Sequence, residues 1–448
     1  MASSFTKLNR KIRGHRRKRC QMSVKVTCNE KKEHMKPRQY RQLLVVLVLF
    51  VSACSNESSA VLVRSTSTPM KQATPTSTQV VHVVQQPLPK GLLNPAYPVL
   101  DWVFNITCGR AVNSYNNGQM KGTIAYDSAA WLYPSDGHLV EGTQDCDRAA
   151  LLGQARNQGL PTLITVGVDS SWPEQELAQY IDQAASQPQV PCSAQATTSI
   201  CNIVNWAIDG GYAGVIIDFE LVDGKYPNIR TKFATFMQEL QDALHQKGLL
   251  CGIALIHKIS DRPEEDPSFK GNFFEDWRLL SRLDFLVVMT VDLDLSLGKP
   301  GPLVSIDWVE KQLDYLWQTI PQALSKTIFE FPLYGRSWQQ DTQEKWQPVA
   351  DETCPQVNAE KDAHPSSSQV STDPTTPELA WTDESGSRHE LWYNTASSLV
   401  AIMSQLQQKA RGLLNNPDYR LPTSFWYRGA ECSDFFGQGN ALEAFYHK

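Results

Sequence analysis

The chain has 448 residues, 41% of them apolar and 20% charged, which is enough material for a large globular body. Its formal charge of −5 is unevenly spread: residues 1–53 hold 14 Lys and Arg against only Glu30 and Glu33, leaving −17 on the remainder. A body that acidic repels a phosphate backbone, so no nucleic-acid partner is expected.

The basic end runs into "LLVVLVLFVSAC", residues 43–54. Eleven residues precede the cysteine, too few to span a bilayer. Basic residues, a short apolar core and small residues before a cut describe a secretory signal. "VSAC" resembles the lipobox of bacterial lipoproteins, which implies lipidation of Cys54 and attachment to a membrane through that lipid. Translation from Met35 gives this signal ordinary proportions, and residues 1–34 then read as a mis-assigned start or an extension. Residues 1–53 are therefore assigned to extension and signal, and 54–97 to a linker. Residues 55–90 of that linker are rich in Ser, Thr, Pro and Gln, a composition that cannot build a core.

From residue 98 to 448 short apolar runs alternate with amphipathic stretches. The runs are "VLDWVFNI", "TIAYDSAAWLY", "PTLITVGV", "AGVIIDFE", "LLCGIALI", "DFLVVMTV", "KTIFEFPLYG" and "PTSFWYR". Between them, "SWPEQELAQYIDQAA" predicts a helix with Ser171 as N-cap, Pro173 in the first turn and Glu174 in a capping box. "NIRTKFATFMQELQDALHQKG" predicts another, closed by Gly248. "SIDWVEKQLDYLWQ" and "NTASSLVAIMSQLQQKA" have the same spacing. Eight strands alternating with helices predict an α/β (β/α)8 TIM barrel. A doubly wound sheet is the alternative, weakened because no G-x-G-x-x-G follows the first strand. Residues 339–392 are polar and contain a hairpin pattern, "ELAWTDESGSRHELWY", so a small lobe is expected between strands seven and eight.

Seven cysteines lie beyond Cys54. Cys192 and Cys201 bracket a short polar loop and are the favoured disulfide; Cys108–Cys146 and Cys354–Cys432 are the other pairings considered. Cys251, in an apolar strand, is expected to be a buried thiol. No cysteine or histidine cluster has zinc-ligand spacing.

The informative stretch is "GYAGVIIDFE", Gly211–Glu220. Alternate residues of a strand share a face, so Ile216, Asp218 and Glu220 point into the barrel, while Val215, Ile217 and Phe219 point to the helices. Asp218 and Glu220 then stand at the C-terminal rim, where barrel enzymes keep their chemistry. An ordinary structural ion pair is the competing account.

The stretch resembles the fourth-strand signature D-G-x-D-x-D-x-E of glycoside hydrolase family 18, through Gly214, Asp218 and Glu220. Other segments are similar to that family in the same order. "MTVD", Met289–Asp292, resembles its M-x-Y-D, and "FPLYGRSW", Phe331–Trp338, its P-x-Y-G-R. "PGPLVSIDWVEKQLDY" and "SFWYRGAE" resemble its spore-germination branch, which includes peptidoglycan glucosaminidases. "LITVGV" matches the third-strand S-x-G-G through Thr165 and Gly167. The resemblance covers residues 98–448.

It implies a glycosidase that uses the acetamido group of its own substrate, an exception to the usual two-carboxylate scheme. Glu220 would protonate the glycosidic oxygen, Asp218 would hold the acetamido N–H, and Asp292 would assist them. Substrates would be N-acetylated polysaccharides such as peptidoglycan or chitin, handled by a monomer without metal or organic cofactor. Trp426 falls at the sugar-stacking position, with plain barrel core as its alternative. Met289, Tyr334 and Tyr126 are further substrate-binding candidates, whereas Arg336 is assigned a structural role. Two departures stand out. Ile216 replaces a family Asp or Asn, removing a partner of Asp218, and Val291 replaces a Tyr whose hydroxyl Tyr126 or Tyr334 would have to supply. Three rivals remain: a glycan-binding barrel without turnover, an envelope scaffold, and a retaining glycosidase with Glu330 as nucleophile. Glu330 lies about 13 Å deeper than Tyr334 at strand rise, too deep for two carboxyls that should sit about 5–5.5 Å apart.

Overall fold

Each of the eight apolar runs forms a strand. The computed structural model describes residues 84–104, 109, 122–141, 148–168, 173–186, 191–192, 198–220, 226, 228–262, 265–266, 275–365, 375–432, 435–436 and 440–447. The signal, Met35, Cys54, most of the linker, Ser171 and the Cys108–Cys146 pair lie outside the described residues.

In chain order the strands are β1 (Val99–Val103), β2 (Thr123–Leu132), β3 (Leu139–Val140), β4 (Thr162–Gly167), β5 (Gly214–Asp218), β6 (Leu250–Ile256), β7 (Phe285–Met289), β8 (Thr327–Pro332), β9 (Gly335–Gln340), β10 (Trp346–Glu352), β11 (Glu378–Thr382), β12 (Arg388–Trp392) and β13 (Thr423–Trp426). The order β1-β13-β8-β7-β6-β5-β4-β2 is parallel throughout, and β1 pairs with β2 to close the ring. This is a closed (β/α)8 barrel, with β3 added antiparallel to β2.

The period of two sorts the side chains. Leu100, Trp102, Ala125, Leu163, Ile216, Ala254, Phe285, Val287 and Ile328 pack together inside the barrel. Their neighbours Ile164, Val215, Ile217, Phe219, Val288 and Phe329 pack outward. The helices against that outer wall include α1 (Arg148–Asn157), α2 (Glu174–Ala184), α3 (Ser199–Gly210), α4 (Ile229–His245), α5 (Ile306–Thr319) and, later in the chain, α7 (Ala396–Leu414). Between the last two lies α6 (Cys354–Ala363), which belongs to the lobe.

Local signals explain the helix ends. The Thr198 hydroxyl accepts the Cys201 N–H at 3.2 Å to start α3, and Gly211 ends it in the left-handed region at φ 69°. Gly248 is left-handed after α4, as its position predicts. The start of α2 differs from expectation. Glu174 is its first helical residue and Pro173, extended, is its cap, so Glu174 is too early to close a capping box.

At the N-terminal end of the barrel, Gln85 bonds to Pro321 and Ser325, and Leu92 and Leu93 join the interior cluster like a stopper. Chemistry is therefore left to the other end. There β9, β10 and the hairpin β11–β12 form a four-stranded antiparallel sheet in the order β10-β9-β12-β11. This sheet begins at Gly335, before the change in polarity at 339, because Gly335–Trp338 are buried. Helix α6 packs its Val357 against Leu379 and Leu391 of the sheet. The disulfide Cys354–Cys432 ties α6 to the segment after β13; Cys192–Cys201 is also formed, and Cys251 is a buried free thiol. Among the described residues no helix is long and apolar enough to cross a membrane.

Candidate functional site

Strand β5 ends at Asp218, and the chain carries on one pleat to Glu220 at the C-terminal rim. Ile216 below them is fully buried in the barrel interior, which fixes the inward direction of this row. Asp218 and Glu220 share a hydrogen bond. Burial, then the charges of Glu220, Asp127, Glu330 and Glu275, holds the Asp218 carboxyl well above the usual carboxylate range. Glu220 keeps contact with solvent, but desolvation of its carboxyl, followed by the charges of Asp292 and Asp127, pushes it up to about 7, against the bond from Asp218. Water at the open edge screens part of that effect. Near neutral pH the pair therefore carries a proton, as a general acid requires.

Asp292 follows β7 in the left-handed conformation at φ 62°, a region that Asp tolerates better than bulkier residues. This turn presents its carboxylate to the Tyr334 hydroxyl, which donates to Oδ1, and to Arg336 Nη2 at 2.8 Å. Arg336 also donates to Asp294 at 2.9 Å and to Asp351 of β10 at 2.8 Å. The structural role assigned to Arg336 is that of a buried hub joining the lobe to the rim. Trp338 adds a bond from its indole N–H to Asp294 at 3.1 Å.

Trp426 is partly exposed and packs edge-on against Trp102, with Phe104 at 6.0 Å; its peptide bond to Tyr427 is cis. Met289 continues the inner row of Phe285 and Val287 and is partly exposed beside Glu330. Two candidates need correction. Tyr126 is 1% exposed and packs in the outer cluster, because it alternates with inward-facing Ala125; it cannot reach a ligand in the barrel mouth. Tyr334 is 2% exposed, stacked on Tyr427, and spends its hydroxyl on Asp292, so it positions that carboxylate instead of lining the cleft. Neither replaces a hydroxyl at the buried Val291 as a ligand contact.

Other groups at this end of the barrel lie outside the sequence motifs. Asp127 of β2 is buried and inward by alternation from Ala125. Glu275, before the short helix Trp277–Leu280, accepts the Ile256 N–H at 2.9 Å, and its charge acts on Asp218. Trp131 pairs with Gly167, where a Cβ would come within 3.3 Å of the Trp131 ring, and it remains partly exposed at the mouth. Glu330 is 2% exposed and takes a long bond from Ser424, so it cannot present a nucleophile to a sugar. Burial, and then the charge of Glu220, raises it as well. Among the described residues no group of three or more His, Cys, Asp or Glu is arranged to hold a metal ion.

These raised carboxyls predict a pH dependence of stability. Each binds its proton more tightly folded than unfolded, so the folded state is favoured below the ordinary carboxylate range and loses that advantage as pH rises through about 7, the Glu220 value. Thermal melts should show the midpoint falling between pH 5 and 8; a midpoint that rises across this window would contradict the assignment.

The model of the family described as "Glycosyl hydrolases family 18" matches residues 110–413. The cortical fragment-lytic enzyme of Bacillus anthracis is 25% identical over 282 residues, 62% of this chain and 60% of that protein. Its Bacillus subtilis counterpart is 26% identical over 201 residues, 44% of each. The chain spans about half the length of the curated relatives it matches. A chitinase crystal structure from Chromobacterium violaceum aligns with a TM-score of 0.61 at 21% identity, over 78% of this chain and 98% of the other, a likeness of fold.

Proposed function

The chain belongs to family 18 of the glycosyl hydrolases, and on that premise we propose that it hydrolyses N-acetylglucosamine-containing glycans with retention of configuration. The observation that carries this reading is the hydrogen-bonded Asp218–Glu220 pair at the C-terminal mouth, Glu220 holding its proton up to about pH 7. Glu220 protonates the leaving glycosidic oxygen. The substrate's own acetamido oxygen attacks the anomeric carbon, and Asp218 accepts a hydrogen bond from the acetamido N–H as positive charge develops. Glu220, now ionised, takes a proton from water that opens the oxazolinium ring. Asp292 sets the field on Glu220 and is itself held by Tyr334 and Arg336. Trp426 and Met289 offer apolar surface to the sugar.

Peptidoglycan is the favoured polymer, supported by the names of the cortical fragment-lytic relatives, and chitin is the alternative. Incubating the protein with peptidoglycan and with chitin oligomers, then identifying the released ends, separates the two. Absence of any release would favour a binding barrel, a reading to which Ile216 and Val291 lend weight.

We place the protein outside the cytoplasm, anchored through Cys54 as a monomer. The two disulfides support an oxidising compartment. Metabolic labelling with a fatty acid should tag the wild type and leave Cys54→Ser unlabelled and released from the membrane fraction. Equal labelling of both would refute the anchor.

A further inference from the structure

Between β2 and β4 the ladder slips. Tyr126 pairs with Ile164, and the next pair is Ala130 with Val166. Positions 127–129 of β2 thus stand against Thr165 alone, a bulge that keeps Asp127 beside Thr165. Thr165 in turn pairs with Ile216 on β5. The inner wall therefore reads Asp127, Thr165, Ile216 across three adjacent strands, one pleat below Asp218, which pairs with Gly167. Thr165 is 1% exposed and alternates with inward-facing Leu163. Among the described residues its hydroxyl has no hydrogen-bond partner, and neither has one carboxyl oxygen of Asp218. Ile216 offers neither donor nor acceptor to them.

We infer that Asp127 is the positioning carboxylate of the Asp218–Glu220 pair, delivered from β2 by the bulge to supply the polar neighbour that β5 lacks at Ile216. A hydroxyl both donates and accepts, so Thr165 is the group suited to link the two acids. The negative charge of Asp127 retains the proton on the pair until a substrate arrives. This agrees with the direction in which Asp127 acts on both residues.

Among the described residues, the other acids around the pair have partners of their own. From the segment after β6 comes Glu275, bonded to the Ile256 N–H and facing Lys258. From the end of β7 comes Asp292, held by Tyr334 and Arg336. From β8 comes Glu330, bonded by Ser424. Strand β4 contributes no titratable group here, only Thr165. Asp127 is the acid that shares the Thr165–Ile216 level.

The rate test of this inference rests on the hydrolase reading; its spectroscopic test does not. Carboxyl-13C labelling of Asp and Glu lets the Glu220 titration be followed by NMR in the intact protein, with Glu220→Gln as the assignment control. In Asp127→Asn the Glu220 midpoint should fall by about one pH unit, the size of losing one nearby charge. The alkaline limb of kcat/KM should move down by the same amount, because it reports the acid of the free enzyme. Adding Ile216→Asp to Asp127→Asn should return both towards wild type, since a carboxylate is restored at the same level from β5, on the other side of Thr165. An unmoved Glu220 midpoint in folded Asp127→Asn overturns the inference, whether or not the wild type hydrolyses glycans. A wild type with no hydrolysis overturns the hydrolase reading instead and leaves the NMR midpoint to decide this one. If Asp127→Asn does not fold, Asp127→Ser, read in the same way, decides it.

Discussion

Glu220→Gln is expected to lower kcat by about 100-fold or more, the loss typical of removing a positioned proton donor. KM should change little, because the amide keeps the size and much of the hydrogen-bonding capacity of the acid. The fold should be untouched or slightly steadier. Glu220 sits in a row with half-buried Asp218, and desolvation, Asp292 and Asp127 all disfavour its charge, so a neutral amide removes a repulsion. The loss should therefore appear in the chemical step alone. Substrate assistance makes two further outcomes necessary. NMR of the first-formed product should show the anomeric configuration of the substrate, because the acetamido oxygen and then water attack in two inversions. A thiazoline analogue of the oxazolinium ion should inhibit competitively. An inverted product, or equal trace release by wild type and Glu220→Gln on every N-acetylated polymer, would remove the hydrolase reading.

The parts of this site that were legible in the sequence are those governed by period two within one strand. Ile216, Asp218 and Glu220 share a face because nothing interrupts the ladder of β5 with β4 or β6. Applied to β2, the same alternation puts Ala125 and Asp127 inside and Tyr126 outside. The Tyr126 hydroxyl suits a ligand contact, but its parity turns it to the helices. The bulge that sets Asp127 beside Thr165 leaves no mark in "AYDSAAW", since it arises where two strands of unequal length are paired. Strands β9 and β10 were illegible for a different reason. β10 is largely exposed, and the buried residues of β9, such as Arg336 and Trp338, are polar or aromatic groups whose partners lie some 15 to 44 residues away in sequence. The hairpin β11–β12 was visible because its turn residues are local. The Cys354–Cys432 disulfide spans 78 residues, whereas Cys192–Cys201 spans nine, and only the short separation is informative in a sequence.

The largest effect on stability should come from Arg336→Met, with a loss of about 3–5 kcal/mol, the range for leaving one partner of a buried ion pair alone. Arg336 grips Asp292, Asp294 and Asp351, but these do not weigh equally. Asp292 and Asp351 keep 36% and 47% of their side-chain surface, so water can take over their solvation. The Asp294 side chain keeps none, and without Arg336 it is left with the bonds from the Trp338 indole and the Leu295 backbone N–H. Burial raises Asp294 to about 6 even with Arg336 present to lower it, so without the guanidinium it must take up a proton or remain a buried, unpaired charge. The sign of the pH dependence follows. The variant should lose least at acid pH, where Asp294 is protonated, and most above neutrality, where keeping that proton costs more. Arg336→Lys should recover only part of the loss, because one ammonium cannot span three carboxylates as the planar fork does. Activity should fall with stability, since Asp292 loses a donor and its turn loses the tether to the lobe. Urea unfolding of wild type and both variants at about pH 5 and pH 8 tests this. An Arg336→Met protein as stable as wild type at the higher pH would show that the hub is ornamental and that Tyr334 alone holds Asp292.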